Sequence, residues 1–433
     1  MLLVGIFSGL TFLVMIMGVL FFPVIKIGKI KFASYWFISL IGAILIVLIS
    51  KIDARVIIDS LTKNSQINPI KILTLFISMA VISIFLDELG FFKYLASVTL
   101  KKAKGSQLKL FLYLYIIVSI LTVFTSNDII ILSFTPFICY FCKNAKINPL
   151  PYLTLEFVAA NTWSMALIIG NPTNIYLASS YSVDFISYFK VMFVPTIISG
   201  AFAFILLFLV YKKSLKESVN VCSEVVEIKD KPNLIIGLIC LGLTTLFLAI
   251  SSYINVEMWL VSFVMALALF VIVIILSIIR KVKPIELKST LKRAPYELIP
   301  FMLSMFVIII VLNEVKLTNL LASLIGDNFA TFKYGVLSFL ASNVINNIPM
   351  SALFSSLVST LGENVLYQGL YASIIGSNLG ALFTPIGALA GIMYSSILNK
   401  NGIKYCYLSF LKMGVLIALP TLVVALFSLS LFI

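Results

Sequence analysis

Apolar segments of about 20 residues recur along the whole chain, and short polar segments rich in lysine separate them. A bilayer core about 30 Å thick is crossed by about 20 residues of α-helix, so each segment is long enough to span a membrane. None of them shows the two-residue alternation of a membrane β-barrel. We therefore predict an all-α polytopic membrane protein, with apolar segments at 1–22, 34–50, 70–88, 107–142, 150–178, 189–211, 234–252, 257–279, 298–315, 334–361, 369–398 and 409–431. The first of these is predicted to be a transmembrane helix and not a signal peptide, because it lacks a basic start and a small-residue cleavage site.

Polar residues interrupt two of the apolar segments near their middle. The first, 107–142, contains Thr-Ser-Asn-Asp at 125–128, and the second, 334–361, contains Ser-Asn-Val-Ile-Asn-Asn-Ile-Pro at 342–349. We predict that each forms a re-entrant hairpin, which enters and leaves the membrane on the same side. Five full crossings then remain in each half of the chain. An odd number of crossings places the two halves in opposite orientations, the inverted-repeat plan of many secondary transporters.

The predicted N-terminal repeat covers 1–211 and the predicted C-terminal repeat covers 234–433, and the polar residues 212–233 form a cytoplasmic linker. Each repeat is expected to contain one hairpin, at about 107–142 or about 334–361, and one broken helix. The broken helices are expected at about 150–178 and about 369–398, where Gly-Asn-Pro and Gly-Ser-Asn interrupt the apolar pattern. Breaks at membrane depth are tolerated only where protein or a water-filled cavity satisfies the backbone.

Positive charge supports this topology. The chain has 31 Lys and Arg residues against 17 Asp and Glu, with a net charge of +14. With both termini outside, most basic residues fall in loops on the cytoplasmic side, as the positive-inside rule requires. We therefore expect a multi-pass protein of the plasma (inner) membrane whose partner is the lipid bilayer, and no nucleic acid.

Asp128 is the only carboxylate at a predicted hairpin tip. Acidic residues at membrane depth usually face a cavity and serve proton or ion relays. Because the chain contains no histidine, we predict that Asp128 carries the coupled proton, and Glu156 is a second candidate. Asp87 and Glu88, at the end of a span, are expected to pair with Lys93 or to cap the next helix. No basic residue is expected near either tip.

Tips and breaks expose helix ends, whose N–H groups suit anionic or polar oxygen ligands and whose carbonyl groups suit a cation. Thr125, Ser126 and Asn127 at the first tip would add neutral oxygens and an amide. The residues 170–172, 376–378 and 384–387 are expected to break their helices. Ser, Thr and Asn side chains would then complete an uncharged hydrogen-bonding cage.

Residues 82–138 resemble the ArsB arsenite permease family of the ion-transporter superfamily. The resemblance rests on Asp-Glu-x-Gly-Phe-Phe, a basic linker, an apolar arm, the Asn-Asp tip and Thr-Pro. It continues in 342–353, with Ser-Asn followed by Asn-Asn-x-Pro, and in 376–414, with Gly-x-Asn-x-Gly, Thr-x-Gly and Phe-x-Lys-x-Gly. These features follow the family's order over nearly the whole chain.

The resemblance implies export of arsenite or antimonite in exchange for protons. Small inorganic substrate and protons would be the ligands, with no cofactor and no metal, and a separate ATPase subunit and a homodimer are left open. Besides Ser126, the resemblance implies a site made of uncharged residues from both halves together with Asp128. They are Asn127, Asn171, Thr173, Asn174, Asn343, Asn346, Asn347, Ser377, Asn378 and Thr384.

One departure keeps the substrate open. Residues 168–175 read Ile-Ile-Gly-Asn-Pro-Thr-Asn-Ile, where arsenite pumps of the best-matched kind carry Ser-Asn-x-x-Asn. The alternatives are a sodium/proton antiporter and, third, an anion transporter of the dicarboxylate type. An enzyme is not expected, because without histidine no Ser-His or His-Glu-x-x-His site can form. A passive channel is disfavoured because repeats with broken helices suit alternating access. Cys139 and Cys142 lie in an apolar run and are expected to be packing residues.

Overall fold

The structure is a computed structural model that describes residues 1–22, 24–28, 30–62, 68–216, 227–228, 230–403 and 407–433. In the first half the helices are α1 (Leu2–Phe21), α2 (Ser34–Ser50), α3 (Ala54–Thr62), α4 (Pro69–Glu88), α5 (Phe91–Lys102), α6 (Gln107–Phe124), α7 (Asn127–Ala145), α8 (Leu150–Trp163), α9 (Pro172–Ser180) and α10 (Phe185–Tyr211). Strands β1 (Val24–Ile27) and β2 (Ile30–Ala33) form an antiparallel pair between α1 and α2. The apolar pattern did not predict these two strands, which lie in a polar loop.

The second half contains α11 (Lys231–Ile250), α12 (Met258–Ile279), α13 (Ile285–Arg293), α14 (Leu298–Glu314), α15 (Leu317–Ile325), α16 (Ala330–Ile345), α17 (Asn347–Val358), α18 (Glu363–Gly380), α19 (Leu389–Lys400), α20 (Tyr407–Met413) and α21 (Leu419–Ser430). A π-helical turn, Gly414–Ala418, joins the last two. The predicted linker falls largely on 217–226 and 229, which lie outside the described residues, and its last residues belong to α11.

Nine helical stretches of the described residues are long and apolar enough to cross a membrane. Helix α2, at 17 residues, is a shorter apolar helix. Many side chains of α12 are exposed and apolar, as expected of a helix that faces lipid, whereas α4 is mostly buried among other helices. The prediction of an all-α polytopic membrane protein is confirmed.

The order of elements in the first half recurs in the second. Each half begins with two long helices, a short helix, another long helix and another short helix. A helix pair interrupted by a tip follows, and a broken helix and a final long helix complete the half. Contacts recur in the same way across the halves. Helix α2 packs on α14 and α4 on α12, while α7 packs on α19 and α17 on α9.

Both predicted hairpins are helix pairs separated by a short break. Helices α6 and α7 are separated by Thr125 and Ser126, and Ser126 is fully extended with φ −150° and ψ 155°. Helices α16 and α17 are separated by Asn346 alone, with φ +71°. Asparagine tolerates positive φ because its short side chain can bond locally, and here the Asn346 side chain accepts a hydrogen bond from the N–H of Ile348.

The first broken helix ends at Trp163 and resumes at Pro172, after a 3₁₀ turn at Ile168–Gly170. Proline suits the first position of a helix, where its missing N–H costs nothing. Asn171 precedes it and caps α9 by accepting a hydrogen bond from the N–H of Thr173. The predicted break at 170–172 therefore falls where the helix resumes, and the interruption itself begins earlier, at Ser164.

The predicted break at 376–378 is wrong, because α18 continues through these residues to Gly380. The reason is close packing of α18 on α16. A Cβ at Gly376 would lie 2.0 Å from Ser338 Oγ, and a Cβ at Gly380 would lie 2.0 Å from Ser342 Oγ. Glycine four residues apart is a common device for bringing membrane helices together. The second break lies only at 381–388, before α19.

Candidate substrate and ion site

The predicted site residues lie at the first tip, at and just after the first break, at the second tip, in helix α18 before the second break, and at the second break itself. Most of their side chains are buried, and only Asp128 and Asn343 are partly exposed. Hydrogen bonds join several of them directly, and others are held by residues that the sequence did not single out. A buried polar group is costly unless it is hydrogen-bonded. The hydrogen bonds therefore show which side chains already have partners within the protein and which could still bind a ligand.

At the first tip, the Asn127 side chain fixes the start of α7. Its Nδ2 donates to Asn161 Oδ1 of α8 at 3.0 Å, and its Oδ1 accepts from the N–H of Asp128 at 2.9 Å. Asn161 Nδ2 in turn donates to the carbonyl oxygen of Phe157 within its own helix. The Asn127 side chain therefore holds the tip against the first broken helix.

The first break meets helix α18 at Asn378, whose side chain uses all its principal hydrogen-bonding capacity. Its Oδ1 accepts from Ser164 Oγ at 2.8 Å and from Asn171 Nδ2 at 2.9 Å. Its Nδ2 donates to Asn174 Oδ1 at 2.7 Å and to the carbonyl oxygen of Ile374 at 2.8 Å. Three of these four partners belong to the first half of the chain, so Asn378 joins the halves.

Asn174 is also satisfied within the protein. Its Nδ2 donates to the carbonyl oxygens of Ser164 at 2.8 Å and Leu167 at 3.2 Å, both in the interrupted part of the broken helix. The hydroxyl of Ser164 lies within hydrogen-bonding distance of the carbonyl oxygen of Asn161 as well. Asn161 of α8 therefore contacts the first tip, and Ser164, which follows α8, lies within hydrogen-bonding distance of Asn378.

The second tip is bound to the second break. Thr384 Oγ1 donates to Asn343 Oδ1 at 2.6 Å, and Asn343 Nδ2 donates to the carbonyl oxygen of Gly380 at 3.0 Å. Asn346 Nδ2 donates to the carbonyl oxygen of Ile386 at 2.9 Å, and the backbone N–H of Asn347 donates to that of Gly387 at 3.0 Å. The second tip and break therefore form one unit.

Four predicted site residues retain a buried side-chain atom that has no hydrogen-bond partner among the described residues. They are Ser126 Oγ, Thr173 Oγ1, Asn347 Oδ1 and Ser377 Oγ. One lies at each tip, one at the first break and one in the helix before the second break. Other buried polar atoms of the described residues also have no partner, such as Ser8 Oγ and Ser428 Oγ, and a ligand site is one reason for such atoms.

Asp128 lies on the floor of a cavity of about 460 Å³. Ser126 shares the floor, and the exposed residues Lys292, Arg293 and Glu297 line the mouth. Within the described residues the Asp128 carboxylate has no hydrogen bond or ion pair of its own. The cavity therefore leads from the loop before α14 to the first tip.

The expectation that no basic residue lies near a tip is wrong, since Lys292 and Arg293 line the same cavity as Asp128. Arg293 is already paired: its Nη2 lies 2.7 Å from Asp87 Oδ2, and its Nη1 bonds Glu88. The expected pairing of Asp87 and Glu88 with Lys93 is therefore also wrong. Asp87 and Glu88 lie 206 and 205 residues from Arg293 in sequence.

Glu156, the second predicted acid, is completely buried in α8. The Thr135 hydroxyl of α7 lies 2.9 and 3.0 Å from its two carboxylate oxygens. Glu156 does not line the cavity that contains Asp128. The structure thus separates the two acids: one faces a cavity and the other is enclosed between helices.

Sequence reasoning missed Asn161 and Ser164, which connect the first tip to Asn378. The signal was present, because both are polar residues in an apolar segment just before the break. It also missed an internal match between the halves. Residues 86–88 read Leu-Asp-Glu and residues 312–314 read Leu-Asn-Glu, and they end the equivalent helices α4 and α14.

Comparison with known proteins decides the family. Residues 1–368 match the profile described as "Citrate transporter" (CitMHS). The chain belongs to the citrate transporter family. Its curated relatives include the arsenical pump membrane protein of Escherichia coli (strain K12). That protein is 26% identical to this chain over 371 residues, which cover 82% of this chain and 85% of that protein. The putative arsenical pump membrane protein of Bacillus subtilis (strain 168) is 26% identical over 367 residues, covering 78% of this chain and 82% of that protein.

A solved transporter structure shares the fold of this chain. The YdaH transporter of Alcanivorax borkumensis is similar to it with a TM-score of 0.52, over 99% of this chain and 96% of that one, at 12% identity. The predicted resemblance to arsenical pumps is confirmed by the curated relatives. The chain is a multi-pass membrane transporter and not an enzyme.

Proposed function

We propose that this transporter exports arsenite and antimonite across the plasma membrane in exchange for protons. The observation that carries the proposal is the set of unsatisfied, uncharged polar atoms at the tips and next to the breaks: Ser126 Oγ, Thr173 Oγ1, Asn347 Oδ1 and Ser377 Oγ. Arsenite at neutral pH is an uncharged trihydroxy species, whose hydroxyl groups both donate and accept hydrogen bonds. Hydroxyl and amide oxygens match that ligand without any buried cation. The arsenical pump relatives point in the same direction.

Asp128 is proposed to couple the substrate to the proton. It is the acid on the floor of the cavity, beside Ser126 with its unsatisfied hydroxyl oxygen. Its position in the first turn of α7 also places it near the positive end of the helix dipole. In the proposed cycle, substrate that enters from the cytoplasmic side displaces the proton of Asp128. The emptied site then takes up a proton on the outside.

We further propose that the halves 1–211 and 234–433 are inverted repeats, with re-entrant hairpins, a cytoplasmic linker and both termini outside. The recurring order of elements supports this arrangement. Two ion pairs agree with the predicted side of the membrane for each helix end. Arg280 bonds Asp230, and both lie at helix ends predicted to be cytoplasmic. Lys71 bonds Glu257, and both lie at helix ends predicted to be outside. An ATPase subunit and a homodimer stay predictions.

One observation favours a second candidate, the transport of an organic anion such as citrate. Lys292 and Arg293 line the cavity mouth, and the family is described as citrate transporters. Arg293 is neutralised by Asp87 and Glu88, however, and the unsatisfied atoms of the candidate site are uncharged. A tricarboxylate would desolvate several charges at the tips without a buried cation to receive them, which is costly. Arsenite therefore ranks first.

The test is uptake into everted membrane vesicles with arsenite, antimonite, sodium and citrate compared side by side, together with a reporter of internal pH. We expect arsenite and antimonite to be taken up and to dissipate an imposed pH gradient. Sodium-dependent dissipation without arsenite would support the sodium/proton antiporter instead. Citrate uptake with no arsenite uptake would contradict the proposal and support the anion transporter.

A further inference from the structure

A tyrosine and a carboxylate meet at the mouth of the cavity that contains Asp128. Tyr35 Oη donates to Glu297 Oε2 at 3.0 Å, a bond that joins the start of α2 to the residue before α14. Glu297 is exposed, and both residues line the cavity. The cavity therefore has one carboxylate at its mouth and another on its floor.

Apolar side chains make up most of the wall between the two carboxylates. They come from several helices: Phe76, Ala80, Ile84, Ile129, Leu132, Leu389, Ile392 and Met393. A cavity of about 460 Å³ holds several water molecules, since each occupies about 30 Å³ in the liquid. In a cavity with so apolar a wall, water molecules would be ordered by hydrogen bonds to the few polar side chains of the lining. A proton passing between the first tip and the cytoplasmic face would meet Tyr35 and Glu297 at the mouth.

The charged and titratable groups around this route are few. The described residues that line the cavity contribute Tyr35, Asp128, Lys292, Arg293, Tyr296 and Glu297. Arg293 is held by Asp87 and Glu88. Glu297 has no ion pair among the described residues, and its one side-chain hydrogen bond is the one from Tyr35. Its carboxylate is thus open to exchange a proton with bulk water.

The geometry points to Glu297 as the surface proton acceptor for Asp128, with Tyr35 as the residue that positions it. This inference rests on the proposed proton exchange at Asp128. When substrate enters from this side, the Asp128 carboxyl group gives its proton to cavity water, and the water passes a proton to the Glu297 carboxylate. Glu297 then releases that proton to bulk water and returns to its charged form. No other group gains or loses a proton in the sequence.

The opposite face offers a matched control. Glu257 has an aromatic partner of its own, because Trp259 Nε1 donates to Glu257 Oε2 at 2.8 Å, and it also pairs with Lys71. These residues line another cavity, of about 350 Å³. Among the described residues, neither tip contributes to its lining. Glu257 therefore resembles Glu297 chemically but has no connected route to Asp128.

The experiment measures arsenite-driven proton flux by the full-length transporter in proteoliposomes. The flux is compared between weak and strong buffer on the face that contains Glu297. Glu297→Gln keeps an acceptor for Tyr35 but cannot exchange a proton. We expect it to slow proton flux about tenfold in weak buffer, less than the 10²- to 10⁴-fold effect of a directly acting acid or base, because cavity water still conducts. Strong imidazole buffer on that face should restore the flux, since a mobile base replaces the lost carboxylate.

Tyr35→Phe should give a smaller loss with the same rescue, and Glu257→Gln should behave like the wild type in both buffers. The inference is overturned if Glu297→Gln matches the wild type in weak buffer, or if its loss is not relieved by imidazole. A wild-type transporter that moves arsenite without moving protons would contradict the proposed function itself, and the inference with it. A variant that fails to fold is recognised by its thermal unfolding in detergent, and Tyr35→Phe then decides the question.

Discussion

Asn378 Nδ2 donates to Asn174 Oδ1 at 2.7 Å, and this bond joins the two broken helices across the two halves of the chain. Asn378 also accepts from Ser164 and Asn171, so its side chain has no principal donor or acceptor left for a substrate. Its neighbour Ser377 has the opposite property, a buried hydroxyl with no partner among the described residues. Adjacent residues of one motif therefore have different predicted roles, one structural and one in binding.

Asn378→Ala should destabilise the protein, because it removes the partner of Asn171 Nδ2 and of Asn174 Oδ1, whereas the Ser164 hydroxyl keeps a backbone carbonyl oxygen as an acceptor. Leaving a buried partner unpaired costs about 1–3 kcal/mol in proteins, and less in membrane proteins whose groups find other partners. We expect a lower unfolding temperature in detergent for Asn378→Ala. Ser377→Ala should leave that temperature nearly unchanged and raise the KM for arsenite. Equal unfolding temperatures for the two variants would contradict this division of roles.

Gly376→Ala should weaken the packing of α18 on α16. The added Cβ would lie 2.0 Å from Ser338 Oγ and 2.3 Å from the carbonyl oxygen of Gly335, and the backbone atom cannot move aside cheaply. Overpacking of this kind costs about 1–3 kcal/mol. The control is Gly242→Ala in α11, where a Cβ would meet nothing within 4 Å. Thermal unfolding in detergent should separate the two variants, and an unchanged Gly376→Ala protein would show that the helices are farther apart.

Glu156→Gln should preserve proton coupling, because Glu156 is enclosed between α7 and α8 and does not line the cavity. The glutamine amide oxygen can still accept from Thr135, so folding should be little affected. Arsenite-driven proton flux in vesicles is the measurement. Loss of coupling with normal folding would assign the coupled proton to Glu156 as well.

The ion pair between Lys71 and Glu257 should make a small contribution to stability that depends on pH. The hydrogen bond from Lys71 is the main reason that the pKa of Glu257 is lowered. A lowered folded-state pKa means that the contribution is present above the unfolded pKa of about 4.3 and is lost as the pH falls through the folded value. Because the Glu257 side chain is 51% exposed, solvent screens the pair and the effect should be slight.

The comparison of Glu257→Gln with the wild type tests this sign. Their difference in unfolding temperature should be larger at pH 7 than at pH 3, because the contribution declines once the pH is below the unfolded pKa of about 4.3. A difference that grows toward pH 3 would contradict the predicted direction.

The sequence predicted the parts of the fold that local physical chemistry determines. Apolar length predicted the helices, and Gly170-Asn171-Pro172 predicted an interruption in the first broken helix, because proline removes a backbone donor and clashes with the preceding turn. At Gly376 the same reasoning failed. Glycine there serves the contact with Ser338, which depends on a helix that is distant in sequence.

The candidate site could be predicted only as a set of residues. That Asn378 is saturated while Ser377 is not depends on partners about 200 residues away. The pairing of Arg293 with Asp87, and the bond between Tyr35 and Glu297, arise in the same way from contacts between the halves. Side-chain patterns along one helix do not contain that information.

The central claim is that Asp128 couples arsenite export to protons, and it is tested most directly by arsenite-driven proton flux in everted vesicles containing wild type or Asp128→Asn. Asparagine keeps the size and hydrogen-bonding capacity of the side chain but cannot carry a proton. We predict that the wild type releases protons in proportion to the arsenite moved, and that Asp128→Asn abolishes this flux while the protein folds normally. Undiminished arsenite-driven proton flux in Asp128→Asn would contradict the account.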